Sequence, residues 1–442
     1  MTDHMKRTTI SMSDGHRRLQ ATLAAGVGIL LAASAAQAQV PAPVQDEPVA
    51  LTGGEIHTVT NGVVENGTII FEDGIITEVG SDVAVPADAE VVDVSGKRIY
   101  PGLIDGYNQM GLSEIGRINV TVDVNEIGDF NPNIRPEVAV NPDSRHIGTT
   151  RSAGILVSLP TPTGGRVSGL SSAIQMEGWT WEEMTLESGV ALNVNWPNPQ
   201  DEDQYDDEVE EIREIFATAK AYRDARDSEQ RHDSDLRWEA MIPAVEGDMP
   251  VVVSASEIRA MQDAIHWAEE EGVDLILRGG DDARYVADQL VEKDIPVLLT
   301  SVVNAPSRNW EGYDGRYRAP AELQEAGVTF AIVGGSSAPY ANRLPWEAGA
   351  AVTFGLSKEE AMEAVTIRPA EIFGIDDRVG SLEEGKHANL LITDGNPLDY
   401  LGTVEQAYIE GRELDMQDAH RQFFETYMEK VRQRELLQGG ND

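Results

Sequence analysis

Serine, histidine and arginine carry most of the chemistry this chain can offer. It has no Cys, which excludes thiolate metal sites, a thiol nucleophile and disulfides. Ser254, Ser256, Ser336 and Ser337 follow short apolar runs, and a serine is reactive only beside a base. No His or Lys is placed to serve as one, so a serine mechanism is disfavoured. Arg278 closes the run Leu275-Ile276-Leu277. Its guanidinium is permanently charged, so it repels a metal ion and either binds a carboxylate or pairs with a neighbouring acid such as Asp105. Gly164-Gly165 and Gly334-Gly335 lack the spacing and context of phosphate-binding loops and read as turns. The acidic run from Asp201 to Asp207 lacks the ligand spacing of a Ca²⁺ loop and reads as a solvated helix start.

These residues are positioned by two kinds of sequence texture. From residue 49 to 100, short alternating runs are separated by Asn61-Gly62 and Asp73-Gly74, the pattern of a small all-β module. The same texture returns at Gly385 to Gly395 and Val404 to Arg412, so a sheet shared by both ends closes around what lies between. There, strand-like and helix-like stretches alternate, which predicts parallel βα units. Eight candidate strands are Arg98–Tyr107, Gly154–Leu159, Ser172–Met176, Gly189–Val194, Pro250–Ser254, Asp274–Arg278, Ile295–Thr300 and Val328–Val333. Eight fit a closed barrel with its site at the strands' C-terminal ends. Amphipathic helices are expected over Ser256–Glu271 and Asp282–Lys293. A stripe of Val209, Ile212, Ile215, Phe216, Ala219 and Tyr222 marks an inserted helix packed on the barrel. Trp179 and Trp181 follow the third strand and either shape a pocket or pack under a loop. From Asp415 to Leu437, Phe423, Phe424, Tyr427 and Val431 fall at helical spacing.

Charge narrows the partners. With 34 Lys and Arg against 76 Asp and Glu, the formal net charge is −42. Such a field repels phosphate backbones and anionic lipid, which argues against nucleic-acid and membrane-surface roles. Arg17 and Arg18, the apolar stretch Leu23 to Ala35, and Ala36-Gln37-Ala38 have the order of a secretory signal peptide over residues 1–38. Its apolar run is short for a membrane span. The expectation is an exported protein, periplasmic or secreted, with no membrane attachment after cleavage.

Two motifs resemble the amidohydrolase superfamily of imidazolonepropionase-like, metal-dependent hydrolases. Pro101-Gly102-Leu103-Ile104-Asp105, after a β module, is similar to the superfamily's first barrel strand. Gly355-Leu356-Ser357, Ala364-Val365-Thr366-Ile367-Arg368-Pro369-Ala370 and Gly380-Ser381-Leu382-Glu383-Glu384-Gly385-Lys386-His387-Ala388-Asn389-Leu390 resemble its last helices and its return into the sandwich. The resemblance implies an α/β fold, a distorted TIM (β/α)8 barrel with a small β-sandwich built from both ends of the mature chain. Residues 46–100 and 382–414 would form the sandwich, 101–381 the barrel and 415–442 a C-terminal helix or tail. It also implies one or two divalent metals such as Zn²⁺, held by His and carboxylates, that activate hydroxide against carbon–nitrogen bonds other than peptide bonds.

The residues this chemistry needs are replaced. The resemblance puts a His-x-His pair on Tyr107 and Gln109, a bridging ligand near Gln175, and strand-end histidines at Ser254 and Arg278. A strand-end Asp should stand at Gly334-Gly335-Ser336-Ser337. Neutral Tyr and Gln are poor Zn²⁺ ligands. Of the eight histidines, His4 and His16 lie in the leader, His57 and His387 in the sandwich, and His146, His232, His266 and His420 on helices or loops. The expectation is no metal or other cofactor, and a candidate pocket of Asp105, Tyr107, Gln109, Gln175, Ser254, Arg278, Ser336 and Ser337. Such a chain would bind a small molecule, or support a second copy or an active relative, without hydrolysis. The alternative is an active amidohydrolase of amides or cyclic amides with a non-standard site.

Overall fold

The turns and alternating runs at the two ends of the chain build one sheet. The computed structural model describes residues 40–228, 233–306, 308–335 and 337–439, without the side chains of Asp281 and 435–439. The leader assigned to residues 1–38, His232 and Ser336 lie outside the described residues. Strands β1 (Val49–His57), β2 (Val63–Glu72), β3 (Ile75–Gly80), β4 (Glu90–Asp93) and β5 (Arg98–Pro101) come from the N-terminal stretch. Asp73 and Gly74 both have positive φ, 50° and 81°, as a two-residue hairpin turn between right-twisted strands requires. The C-terminal strands β14 (Leu390–Thr393), β15 (Val404–Ile409) and β16 (Arg412–Glu413) complete the sheet in the order β16-β15-β14-β5-β1-β2-β3, with β4 on β1. Leu391 pairs with Tyr100 in antiparallel register, so the two ends of the described chain are joined. Leu51, Ile56, Ile69, Phe71, Ile99 and Leu390 form its core.

A second sheet holds the eight strands between. They are β6 (Leu103–Asn108), β7 (Ile155–Pro160), β8 (Val167–Gln175), β9 (Thr185–Asn195), β10 (Val251–Ser254), β11 (Leu275–Gly279), β12 (Val297–Thr300) and β13 (Phe330–Val333). The first expected strand, Arg98–Tyr107, is thus divided between the two sheets. The expectation of uniformly parallel strands is corrected at one place: β8 runs antiparallel to both β7 and β9. The connections explain it, because the links on either side of β8 are too short for the dozen or more residues that a parallel crossover takes.

The sheet curls until β13 meets β6. The Gly334 N–H donates to Asp105 Oδ1 at 3.0 Å. The carbonyls of Val365 and Ala364 accept from Ile104 and Ile332, at 2.8 and 2.9 Å. Inside, alternate residues form an apolar layer of Ile104, Val157, Ala173, Ala191, Val252, Ile276, Leu298 and Ala331. Ala370, Phe373, Ile375 and Val379, on and after the helix Ile367–Ile372, pack onto the same cluster. Outside, the helix Ile258–Glu271 buries Met261, Ile265 and Trp267. The inserted helix Glu202–Asp227 lays Tyr205, Ile212, Phe216 and Ala219 inward, with Phe216 edge-on to Trp267 at 4.8 Å. Each such large side chain contributes about 1.5–3 kcal/mol of burial. Asp282–Lys293 departs from a single helix, opening as 3-10 turns over Asp281–Val286 before the helix Ala287–Glu292. No helix among the described residues is long and apolar enough to cross a membrane.

Candidate functional site

The period of two that makes the apolar layer also places the residues above it. Val252 and Ile276 face the lumen, so Ser254 and Arg278, two residues on, face it one layer nearer the strands' C-terminal ends. They are lateral neighbours in the β10–β11 register, and Ser254 pairs with Asn195 of β9 on its other side. Tyr107, from β6, belongs to the lumen cluster and is buried. The Arg278 guanidinium lies over the Tyr107 ring, 4.0 Å from ring centroid to Cζ. Its Nη1 donates to Ser254 Oγ at 3.2 Å. Three residues singled out from the sequence are therefore one constellation.

Arg278 is unusual in its electrostatics. No carboxylate among the described residues lies within 4.0 Å of it, and its Nε is buried without a hydrogen-bond partner. Cation–π contact and one hydroxyl satisfy only part of a five-donor fork. One layer down, Asn193 donates to Gly169 O and Ser171 Oγ, at 3.1 and 3.0 Å, while its Oδ1 is buried and unpaired. The mouth of the barrel thus holds an unmatched donor, and the layer beneath it an unmatched acceptor. Buried groups of both kinds normally have partners. Beside Ser254, a cavity of about 300 Å³ is lined by Trp196, Asn198 and Glu257.

The other expected residues separate. Asp105 does not pair with Arg278. Ile104 faces the lumen, so Asp105 points to the opposite side, into the seam with β13, and accepts from the Gly334 and Tyr107 N–H groups. Burial is the main cause that pushes its carboxyl up to about 7, against those hydrogen bonds, with the half-buried Glu347 adding to the rise. Glu347 is itself raised by burial, while its carboxylate accepts from Val302 N at 3.0 Å. Gln175 is removed from the pocket altogether. Because β8 is antiparallel, its end lies at the far end of the barrel, and Gln175 donates to Glu410 of the sandwich at 2.8 Å. The same reversal puts Trp179 and Trp181 at that far end; Trp179 is exposed and Trp181 packs on the core. Gln109 stays near the mouth, its Nε2 3.5 Å from Thr163 Oγ1. Ser337 precedes the 3-10 turn Ala338–Arg343, its carbonyl accepting from Tyr340 N.

These donors do not fit a divalent cation. Among the described residues no three His, Cys, Asp or Glu side chains converge. The described histidines are elsewhere: His57 stacks on Tyr100 of the sandwich, His146 bonds Glu114 O, and His266 is solvent-exposed beside Glu270. At the mouth itself stands a fixed positive charge, which opposes any metal ion at close range. Asn193 and Asn195 were not singled out from the sequence. The signal was the alternation Ala191, Asn193, Asn195, which puts both amides on the face of a buried alanine.

Comparison with known proteins agrees with this architecture. Residues 238–423 match the model of the Amidohydrolase family. The amidohydrolase tasK of Hapsidospora irregularis is 25% identical over 394 residues, covering 78% of this chain and 39% of that protein. The chain therefore spans about two-fifths of that relative. An imidazolonepropionase of Geobacillus kaustophilus is 24% identical over 375 residues, 75% of this chain and 84% of the relative. Among solved structures, an amidohydrolase from Thermotoga maritima MSB8 superimposes with a TM-score of 0.77 over 84% of this chain and all of its own, at 24% identity.

Proposed function

The chain belongs to the amidohydrolase superfamily, and from that premise we propose that its barrel binds a small carboxylate without hydrolysing carbon–nitrogen bonds. One observation carries the reading: a partly buried guanidinium, stacked on Tyr107 and with no carboxylate within 4.0 Å among the described residues, stands at the mouth. A ligand carboxylate is the complementary group, since arginine matches it with two parallel hydrogen bonds. Ser254 holds Nη1 and the Tyr107 ring holds the guanidinium plane, so the fork is preorganised and loses little freedom on binding. Asn193 Oδ1, an acceptor without a donor, favours a ligand that also bears an N–H or O–H. The same geometry disfavours metal-assisted hydrolysis, for no three described His, Cys, Asp or Glu side chains converge to hold a cation. The signal-like segment 1–38 supports export, which cell fractionation of the native protein tests.

The binding claim is tested by isothermal titration of a panel of small carboxylic acids and their amides. Carboxylates should bind and amides should not. Arg278→Ala should weaken binding by at least about tenfold, within the cost of truncating one partner of a buried charge pair, while Arg278→Lys restores only part of it. Equal affinity of wild type and Arg278→Ala refutes the site. Turnover of any amide by wild type returns the chain to the hydrolytic reading that its relatives' names carry.

A further inference from the structure

The last helix, Ala419–Gly439, leaves its apolar face uncovered. Phe423, Phe424, Tyr427 and Val431 are 62%, 66%, 61% and 48% exposed, at spacing that gathers them on one face. Contiguous apolar surface of this kind marks an interaction site. The helix carries four Arg and Lys against three Glu, where the chain as a whole is strongly acidic. Lys430, Arg432 and Arg434 have no carboxylate within 4.0 Å among the described residues, in a chain of net charge −42.

A surface of the opposite character lies at the far end of the barrel from Arg278. Around the N-terminal ends of β9 to β12 is an open groove of about 1030 Å³. Met249, Ile265 and Phe373 contribute apolar floor, and Asp248, Asp274 and Asp294 line it from exposed positions. None of these three carboxylates has a basic partner within 4.0 Å among the described residues. An aromatic helix face with Lys430 over the Tyr427 ring and Arg432 and Arg434 beyond it thus matches a groove with apolar residues in its floor and carboxylates at its rim, none of these charges ion-paired among the described residues.

We propose that the helix Ala419–Gly439 of one copy docks in this groove of a second copy, each chain giving and receiving a helix. Such an exchange is self-complementary and closes as a two-fold pair. It covers the aromatic face by helix-in-groove packing, and the cations of one copy neutralise the carboxylates of the other. Without those cations, two copies of so acidic a chain would repel each other.

Light scattering on the size-fractionated mature chain tests the pairing. The wild type should run at twice the chain mass, and the paired fraction should fall as salt rises from about 0.05 M to about 0.5 M and screens the contacts. F423S/F424S/Y427S and, separately, D248K/D274K/D294K should run at single-chain mass. Every one of those positions is solvent-exposed, so thermal unfolding reports that both variants fold. Adding K430E/R432E/R434E to the groove variant should restore the pair. A wild type at single-chain mass at its highest soluble concentration overturns the proposal. So does a pair that survives both triple variants, a charge swap that fails to restore it, or a single-chain wild type whose helix binds anionic vesicles instead.

Discussion

Asp105→Asn isolates a carboxyl buried in the β6–β13 seam. In the native chain its acidity is weakened from 3.8 to about 7, chiefly because burial penalises the anion. At ~1.4 kcal/mol per pH unit, that rise corresponds to about 4 kcal/mol between its two protonation states. The raised value fixes the sign. The stabilising contribution is fully present below pH ~4, where both folded and unfolded chains hold the proton. Between pH ~4 and ~7 the unfolded chain has released it and the folded chain has not, so wild-type stability falls by up to ~1.4 kcal/mol per pH unit. Above pH 7 both are ionised and the loss stays near its full value. Asparagine keeps the shape, can still accept from Gly334 N, and cannot ionise. Urea unfolding followed by tryptophan fluorescence at successive pH values, for wild type and variant, gives the difference directly. The gap should move in favour of the variant by about 4 kcal/mol from pH 4 to 8, an upper magnitude for one group. Parallel stability curves over that range would refute the assignment of a buried, proton-holding carboxyl to this seam.

Three further outcomes follow from the same geometry. Gly334→Ala places a Cβ 2.9 Å from Asp105 Oδ2 and should destabilise the chain by about 1–3 kcal/mol in the same assay, the usual cost of overpacking. Phe216→Ala empties the site edge-on to Trp267 and should cost about 3–5 kcal/mol in urea unfolding, as for other buried aromatics. Because the chain carries net −42, its field opposes an arriving carboxylate. Stopped-flow association should therefore speed up as added salt shortens the Debye length from about 30 Å to about 8 Å.

The sequence made the architecture readable wherever local pattern decides it. Asp73-Gly74 turned as its residue types demand, and the runs at Val251 and Leu275 became strands buried on both faces. What it concealed was direction. A strand has the same alternation whichever way it runs, so Ser172–Met176 was recognisable as a strand while its antiparallel sense was not. That sense alone moved Gln175 from the mouth to Glu410. Asp105 was misplaced for a related reason. Its neighbourhood in sequence suggests the pocket, but Asp105 faces away from the lumen side that Ile104 lines, into the β6–β13 seam, and a register irregularity between Asp105 and Asn108 brings Tyr107 back to the lumen. The Tyr107–Arg278 stack joins strands 171 residues apart in numbering, and no local pattern announces such a contact.

The central claim is that the barrel mouth is built around the Arg278 cation and not around a metal. Elemental analysis of the purified protein after equilibration with Zn²⁺ and Mn²⁺ and removal of the excess tests it most directly. The account predicts far less than one metal ion per chain, and the same trace content in Arg278→Ala. One or two ions retained per chain, as the resemblance to metal-dependent hydrolases implies, would contradict it.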